Sequence, residues 1–532
     1  MQSPISIVAR RGGNLLEISS PGGLAPHPFV RSVIENNFVY NRLSFLRGAD
    51  AYDPITHEHV PVLTDRLSLF RTDANQRIVM GLGYQFKFYH LATQFQWNVK
   101  WEDVAPPPEL PAKRFVLDWE AVRTAMRNSG MYFKYRQEEL LHVMANNDFG
   151  QIDAAPNFGK TFLFRLYAFL YPHARIHIVV PGRDVIRGAV SDLRSFMGRV
   201  GEVHSGKQDW ARVTVVSMDS LHHVDFTNVL SEKFADIVLV DEAHALCTES
   251  RGYLAARYEW CKRFCLSGTL QERGDNSHQE LEQLFGPIIF SVTTKELHEN
   301  GTSCPVEVHW LPMNANKGLG DNLSDTRLAQ TAIWFHDYRN ASFAAYLSTF
   351  GPNVQTLVMV KTIDHAVAFK RFAPHYRMCY GSNGMDAERY RQLVEGGFIN
   401  PDTDPLVTPS VRDHMRDAFR ARQLLHVVTT PIWSTGVNFE NLQVLARLAG
   451  DRSDVATGQE PHRVIRLSND KSIVKEHGII VDSRDQFNKK LSKRADHRRS
   501  RYNAFGWKNV YLKQSQVPVS QMFGHILQGG QS

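Results

Sequence analysis

The sequence predicts an α/β protein: two tandem parallel-sheet domains, a small strand-rich domain ahead of them and a basic, helical segment behind them. Three observations predict this. From about residue 115, short runs rich in β-branched residues alternate with longer amphipathic stretches, the rhythm of buried parallel strands joined by crossover helices. Upstream of the proline-rich run Ala105-Pro106-Pro107-Pro108-Glu109-Leu110-Pro111, apolar residues instead recur at every second position. Near residue 485 the chain turns strongly basic.

Taken in order, Gln85-Phe86-Lys87-Phe88 and Trp97-Asn98-Val99-Lys100-Trp101 read as strands of an N-terminal domain over residues 1–110. The prolines that follow stay extended and close it off. The first α/β domain, 111–312, has strand candidates RIHIVV (175–180), VTVVS (213–217), ADIVLV (235–240) and RFCL (263–266). A polar, Gly/Asn-rich stretch from Asn314 to Ser324 leads into the second, 325–485, with TLVMV (356–360), LLHVVT (424–429), LQVLA (442–446) and GIIV (478–481). In the last segment, 486–532, and just before it, Arg484, Lys489, Lys490, Lys493, Arg494, Arg498, Arg499 and Arg501 face only Asp485 and Asp496. Such a stripe either neutralises phosphates or is a solvated helix packed back on its domain.

Composition narrows the class. With 43% hydrophobic and 22% charged residues in 532, disordered, collagenous and coiled-coil chains are excluded. The net charge of +6 is mild at this length, so an anionic partner must be held by local patches. Five scattered cysteines make no disulfide framework, and Cys261/Cys265 lack a second ligand pair for zinc. No apolar run approaches about 20 residues and MQSPISIVARR has no apolar signal core, so a cytoplasmic protein without membrane contact is expected.

Two motifs carry chemistry. Ala154-Ala155-Pro156-Asn157-Phe158-Gly159-Lys160-Thr161 lies between a short apolar lead and the helical run FLFRLYAFL. A loop that wraps phosphates needs inward backbone N–H groups, a lysine for the outer phosphates and a hydroxyl for Mg²⁺, with a helix N-terminus behind it. Further on, 81 residues beyond Lys160, the apolar run Ala235–Val240 ends in Asp241-Glu242-Ala243-His244. Adjacent carboxylates at the end of a buried strand are costly unless compensated. An Asp for Mg²⁺ and a Glu for the attacking water are what phosphoryl transfer to water requires, and ligands of open α/β sheets bind at those carboxyl ends.

With these residues in place the chain resembles a superfamily 2 (DExH/DEAH-box) helicase over about residues 130–485, and further motifs follow in family order. Val179-Val180-Pro181 and Ser217-Met218-Asp219-Ser220-Leu221 resemble the motifs that touch the nucleic-acid backbone. Ser267-Gly268-Thr269 resembles the motif coupling hydrolysis to movement. Val358-Met359-Val360 with His365 is similar to motif IV, and Thr429-Thr430 with Ser434-Thr435-Gly436-Val437-Asn438 to motif V. Gln459-Glu460-Pro461-His462-Arg463-Val464-Ile465-Arg466 is similar to motif VI. The cadence Phe285-Gly286-Pro287, Thr293-Thr294-Lys295-Glu296-Leu297 and Gly301 resembles DNA translocases, phage branch-migration helicases most of all. Three departures stand out: Asn157 at a flexible loop position, Asn438 where relatives carry Asp, and His462 where Gly is usual.

The resemblance implies two RecA-like lobes, ATP and Mg²⁺ as cofactors, and nucleic acid, preferentially duplex or branched DNA, as partner. It assigns phosphate contacts to the loop Ala155–Thr161, with Lys160 on the outer phosphates, and Mg²⁺ to Thr161 and Asp241. Water activation falls to Glu242, the arginine fingers to Arg463 and Arg466, adenine reading to Gln137, and further nucleotide contacts to Gly436 and Asn438. His244, Ser267, Thr269 and Gln459 would couple the sites, and Pro181, Ser217, Thr429 and Thr430 would meet nucleic acid. In the N-terminal domain Arg10, Arg11, Arg42, Arg47, Arg66, Arg71 and Arg77 offer a possible DNA surface. An RNA-directed DExH helicase and a non-catalytic nucleotide-gated scaffold are the alternative readings.

Overall fold

A computed structural model describes the chain except residues 1–3, 45–51, 54–57, 60–61, 227, 247–256, 269, 271–278, 314–322, 382–383, 434–438, 451–463, 465–474, 487 and 529–532. It divides into two compact units, Met1–Tyr52 with His59–Thr293, and Asp53–Glu58 with Thr294–Ser532.

The first unit opens with a five-stranded sheet. Its strands are β1 (Ser6–Gly12), β2 (Leu15–Ser19), β3 (Phe70–Thr72), β4 (Ile78–Gly81) and β5 (Asn98–Asp103), in the order β3-β4-β2-β1-β5, backed by α1 (Pro28–Asn37) and α2 (Gln85–Gln94). Helix α2 corrects the strand expected at Gln85–Phe88. Its buried positions Tyr84, Phe88, Leu91 and Ala92 follow a 3.6-residue period, whereas Phe86 and Tyr89 stay exposed. The two phenylalanines at every-second spacing mimicked a strand because only Phe88 is core. Of the seven arginines expected to offer a surface here, three are paired, Arg10 with Glu17 and Glu102, Arg11 with Asp103, and Arg77 with Asp73 and Glu17, whereas Arg66 and Arg71 are exposed and Arg47 lies outside the described residues.

A larger sheet follows, built from β6 (Phe149–Ala154), β7 (Ile176–Val180), β8 (Gly201–His204), β9 (Lys207–Asp209), β10 (Val213–Ser217), β11 (Ile237–Asp241), β12 (Lys262–Ser267) and β13 (Ile288–Val292). The order is β9-β8-β10-β7-β11-β12-β6-β13, and all pairings but β8–β9 are parallel. Strands buried on both faces read as the continuous apolar runs seen in the sequence. The N-terminal module is fixed to this sheet's helix α7 (Gln279–Phe285). Tyr84 Oη donates to the Gln279 carbonyl at 2.8 Å, Tyr40 bonds Glu280, and a Cβ on Gly83 would collide with the Glu282 carbonyl.

The second unit carries β14 (Val306–Met313), β15 (Thr356–Met359), β16 (Arg377–Cys379), β17 (His426–Thr429), β18 (Val444–Arg447), β19 (Gly478–Asp485) and β20 (Lys508–Tyr511), all parallel, in the order β16-β17-β15-β18-β19-β14-β20. Strand β20 makes the C-terminal segment part of this sheet rather than a basic appendage. In helix α8 (Lys489–Ala504), Lys490 and Arg498 are buried, and Arg498 forks onto Asp482 at 2.9 and 3.0 Å. Arg447 and Tyr502 close the same carboxylate in. Part of the basic stripe is therefore internal structure. No helix among the described residues is long and apolar enough to cross a membrane.

Candidate nucleotide site

Three adjacent strands of the first unit, β11, β12 and β6, bring their carboxyl ends together, with Asp241 beside Leu266 and Ser267 beside Asp153 in register. The loop after β6 turns through two left-handed residues, Asn157 at φ 73° and Gly159 at φ 91°, before α5 (Lys160–Leu170) begins. Asn tolerates this conformation better than other non-glycine residues. The apparent departure at Asn157 is thus a residue suited to its backbone.

Lys160 Nζ lies 3.3 Å from Glu242 Oε1 and 3.8 Å from Asp241 Oδ1. Burial alone would lower this ammonium, but Glu242, Asp241 and, more weakly, Asp153 outweigh it and the net shift is upward. Burial, added to by Glu242 and opposed by Lys160, pushes the Asp241 carboxyl up to about 6. Glu242 itself is held at φ 50°, its backbone N–H donating to Asp241 Oδ1 at 3.0 Å. His244 Nδ1 sits 3.1 Å from Ser267 Oγ and 3.5 Å from Glu242 Oε2. Gly268 abuts the phosphate loop, since a Cβ there would lie 2.9 Å from Pro156 Cδ. One histidine and one glycine thereby connect the strand ends carrying Glu242, Ser267 and Pro156.

Gln137 lies against the phosphate loop. It is buried, its amide donating to the Phe158 carbonyl at 2.6 Å and accepting from the Lys134 N–H at 2.8 Å. Both ends of the side chain are engaged by backbone, so it braces the phosphate loop, and its second amide hydrogen and the second lone pair of its Oε1 stay available to a base. Asp153 is a residue that sequence reasoning missed. It ends an apolar lead without any motif of its own, and only the sheet register brings it to Lys160.

The four residues expected at nucleic acid divide. Ser217 is buried and its Oγ caps the next turn by accepting from Asp219 N–H, and Thr429 is buried with its hydroxyl donating to the Thr430 carbonyl at 2.9 Å. These two shape turns rather than face a ligand. Pro181 and Thr430 are half-buried. Thr269, Gly436, Asn438, Gln459, Arg463 and Arg466 lie outside the described residues.

Residues 120–272 match the family "Type III restriction enzyme, res subunit". No curated protein matches the sequence. Among solved structures, a fragment described as the HsdR subunit of a type I restriction enzyme from Vibrio vulnificus matches with TM-score 0.50 at 12% identity, over 90% of this chain and 92% of that one. S. cerevisiae Dbp5 bound to RNA and ADP BeF3 matches with TM-score 0.49 at 13% identity, over 79% and 97%. T4 UvsW matches with TM-score 0.39 at 14% identity, over 95% and 99%. The matched residues lie in the first of two tandem parallel-strand sheets, and the likeness to the HsdR fragment is one of fold.

Proposed function

We propose that the chain is an ATP-dependent translocase that uses hydrolysis to move on or remodel duplex or branched DNA. The observation that carries the reading is the convergence of Lys160, Asp241 and Glu242 behind a phosphate-loop backbone at the carboxyl edge of one sheet. Lys160 would leave its carboxylates for the β- and γ-phosphates, and the loop N–H groups and the α5 N-terminus would cradle the chain of phosphates.

The donors suit a hard divalent cation: a threonine hydroxyl at Thr161 and a buried carboxylate at Asp241. Mg²⁺ keeps water and substrate phosphate in its shell, so two protein donors would be enough to hold it. When bound, Mg²⁺ would neutralise charge developing on the phosphates. Glu242 would orient the attacking water, with His244 relaying its position to Ser267. Arg463 and Arg466 would approach the γ-phosphate as arginine fingers, Gln459 beside them. Because such contacts differ between triphosphate and diphosphate, they bias one arrangement of the lobes over another, the requirement for stepping.

The preference for DNA rests on the restriction-subunit family of the first lobe and on the Phe285-Gly286-Pro287 cadence. ATP hydrolysis measured side by side with RNA, single-stranded, duplex and branched DNA tests it. Branched or duplex DNA should stimulate most, and strongest stimulation by RNA would overturn that choice. Lys160→Ala and Glu242→Gln should reduce stimulated hydrolysis to background in a folded protein. A variant hydrolysing at the parental rate would refute the site.

A further inference from the structure

Near the carboxyl ends of β19, β14 and β20 the second sheet carries a cleft that no sequence motif accounts for. It has a volume of about 250 Å³, opens to solvent and is lined by α8 as well as by the strands. Trp310 lines it from β14, in register with Asp482 of β19 and Tyr511 of β20. Arg484 and Tyr511 enter from the ends of β19 and β20, and Ser492, Asp496 and Arg499 from α8.

Helix α8 sorts its residues by face. Leu491, Ala495, Arg498 and Tyr502 are buried, at the spacing of one helical side. Ser492, Asp496 and Arg499 recur at i, i+4 and i+7 and turn to the cleft. Lys489 and Lys493 stand three residues before Ser492 and Asp496, beside them on the helix surface, and both are exposed. Arg484 is stacked over the Tyr511 ring, 5.0 Å from its centroid, and among the described residues no carboxylate pairs with it. Arg499 gives Nη2 to Asp496 at 3.0 Å and keeps further donors of its planar fork.

Two guanidiniums converge here on an open, hydrated space, and one carboxylate answers four cations. Guanidinium forks match phosphate oxygens, and stacking on a ring holds such a fork in plane. The cations continue along α8 beyond the cleft, so a chain of phosphates fits them better than a single one. We propose that this cleft seats a backbone phosphate of nucleic acid, with Arg484 and Arg499 on its oxygens and Lys489 and Lys493 at the neighbouring phosphates. Contacts of this kind hold the strand without reading its sequence. The inference rests on the reading that nucleic acid is the partner, and it needs only the second unit.

The test titrates the full chain, without nucleotide, into a fluorescent DNA duplex between about 50 and 200 mM NaCl. Arg484→Gln should weaken binding about five- to tenfold at the lower salt. Losing one phosphate contact makes the slope of log affinity against log salt shallower by about one, so that deficit should shrink about fourfold at the higher salt. Asp496→Asn frees Arg499 and should tighten binding. Matched controls come from the helix Ala387–Glu395, where Arg391 pairs with Glu388 at 2.8 Å, also three residues apart. Arg391→Gln and Glu388→Gln change the charge equally and should leave affinity within about twofold of the parent's.

Parental affinity and slope in Arg484→Gln would overturn the site, and equal shifts at the cleft and at the control helix would reduce it to net charge. If Arg484→Gln does not fold by circular dichroism, Arg499→Gln decides. Inorganic phosphate, compared with chloride at equal ionic strength, separates the other source of the same chemistry. Thermal stabilisation by phosphate that Arg484→Gln loses, with DNA affinity unchanged, would make this a free-anion site and overturn the proposal. A parent that binds no nucleic acid would instead overturn the functional reading, a failure seen before any variant is compared.

Discussion

Strand β11 has a carboxylate at each end, and the two are treated in opposite ways. Asp236, just before the strand, is buried and enclosed: Arg175 meets it through its backbone N–H at 2.9 Å, Nε at 3.0 Å and Nη2 at 3.3 Å, and Arg114 stands 3.9 Å away. Arg175 is itself tied to the Ser231 and Val229 carbonyls and stacked over Phe234. At the other end Asp241 and Glu242 share Lys160, and burial still holds Asp241 high. One end is satisfied by the chain's own cations. The other keeps Asp241 above its ordinary value, as a buried carboxylate that would take up a cation does. Buried carboxylates alone do not mark function; the state of their compensation does.

Matched substitutions sharpen the contrast and give the largest expected effects. Asp241→Asn should abolish several kcal/mol of catalysis, on the order of 10³-fold in kcat, without lowering the denaturant midpoint and even raising it, since a buried charge is removed. Asp236→Asn should do the reverse. Leaving buried guanidiniums without their carboxylate costs about 2–4 kcal/mol, reduced here because Arg175 is partly exposed. Hydrolysis per folded molecule should remain parental. Urea unfolding followed by circular dichroism, beside an ATPase assay on the same samples, separates the two. Loss of stability in both variants, with activity merely tracking the folded fraction, would erase the distinction.

How much of this was legible in the sequence follows from the same physics. Lys160-Thr161 and Asp241-Glu242 announced themselves because their chemistry demands particular residue types at contiguous positions after an apolar strand. Asp236, directly before the run IVLV, was read only as part of that strand, because its partner Arg175 stands 61 residues away. Pairing across the fold likewise drew Arg498 into the core onto Asp482, where the sequence had left open whether the basic stripe meets phosphates or packs back on its domain. Gln137 was legible as a candidate, but its bond to the Phe158 carbonyl was not, since that partner is fixed by the loop's own curl. Around Phe86 and Phe88 the local period misled, as it does when only one of two aromatics is core.

The comparison extends to acid, where the expected effects are smaller. Burial raises both Asp241 and Asp482, but at Asp482 the charges of Arg498 and Arg447 and the forked bonds of Arg498 prevail and hold it below its ordinary value of 3.8. The signs therefore oppose. Native Asp241 binds its proton more tightly than the unfolded chain does, so in the ligand-free protein the first unit should gain stability as pH falls through about 6 toward about 3.8. Asp482 stabilises fully above 3.8, and that contribution fades as pH falls through its lower native value. Amide exchange resolved by unit at pH 7, 5 and 3 reads both, the Asp241 effect being on the order of 1 kcal/mol or more. Asp241→Asn should remove the first trend and leave the second. A first unit that weakens steadily from pH 7 to 5 in the parent would contradict the account of Asp241.

The mildest test concerns the loop that faces Asp241. Asn157 and Gly159 are both left-handed, yet only one is glycine. If Asn157 is present because its side chain tolerates that backbone, Asn157→Gly should keep nucleotide affinity and kcat close to parental. Asn157→Ala should weaken nucleotide binding by about 1 kcal/mol, roughly fivefold, through the strain of a β-carbon in this region. Equal losses in both variants would show that the Asn side chain, and not its conformational tolerance, is what the loop needs. The fully compensated end of β11 carries no such turn: Asp236 is absent from the left-handed residues, whereas Glu242 at the other end joins Asn157 among them. Strain and missing charge thus gather at the same edge, and the alanine variant measures the part of that cost borne by a single backbone angle.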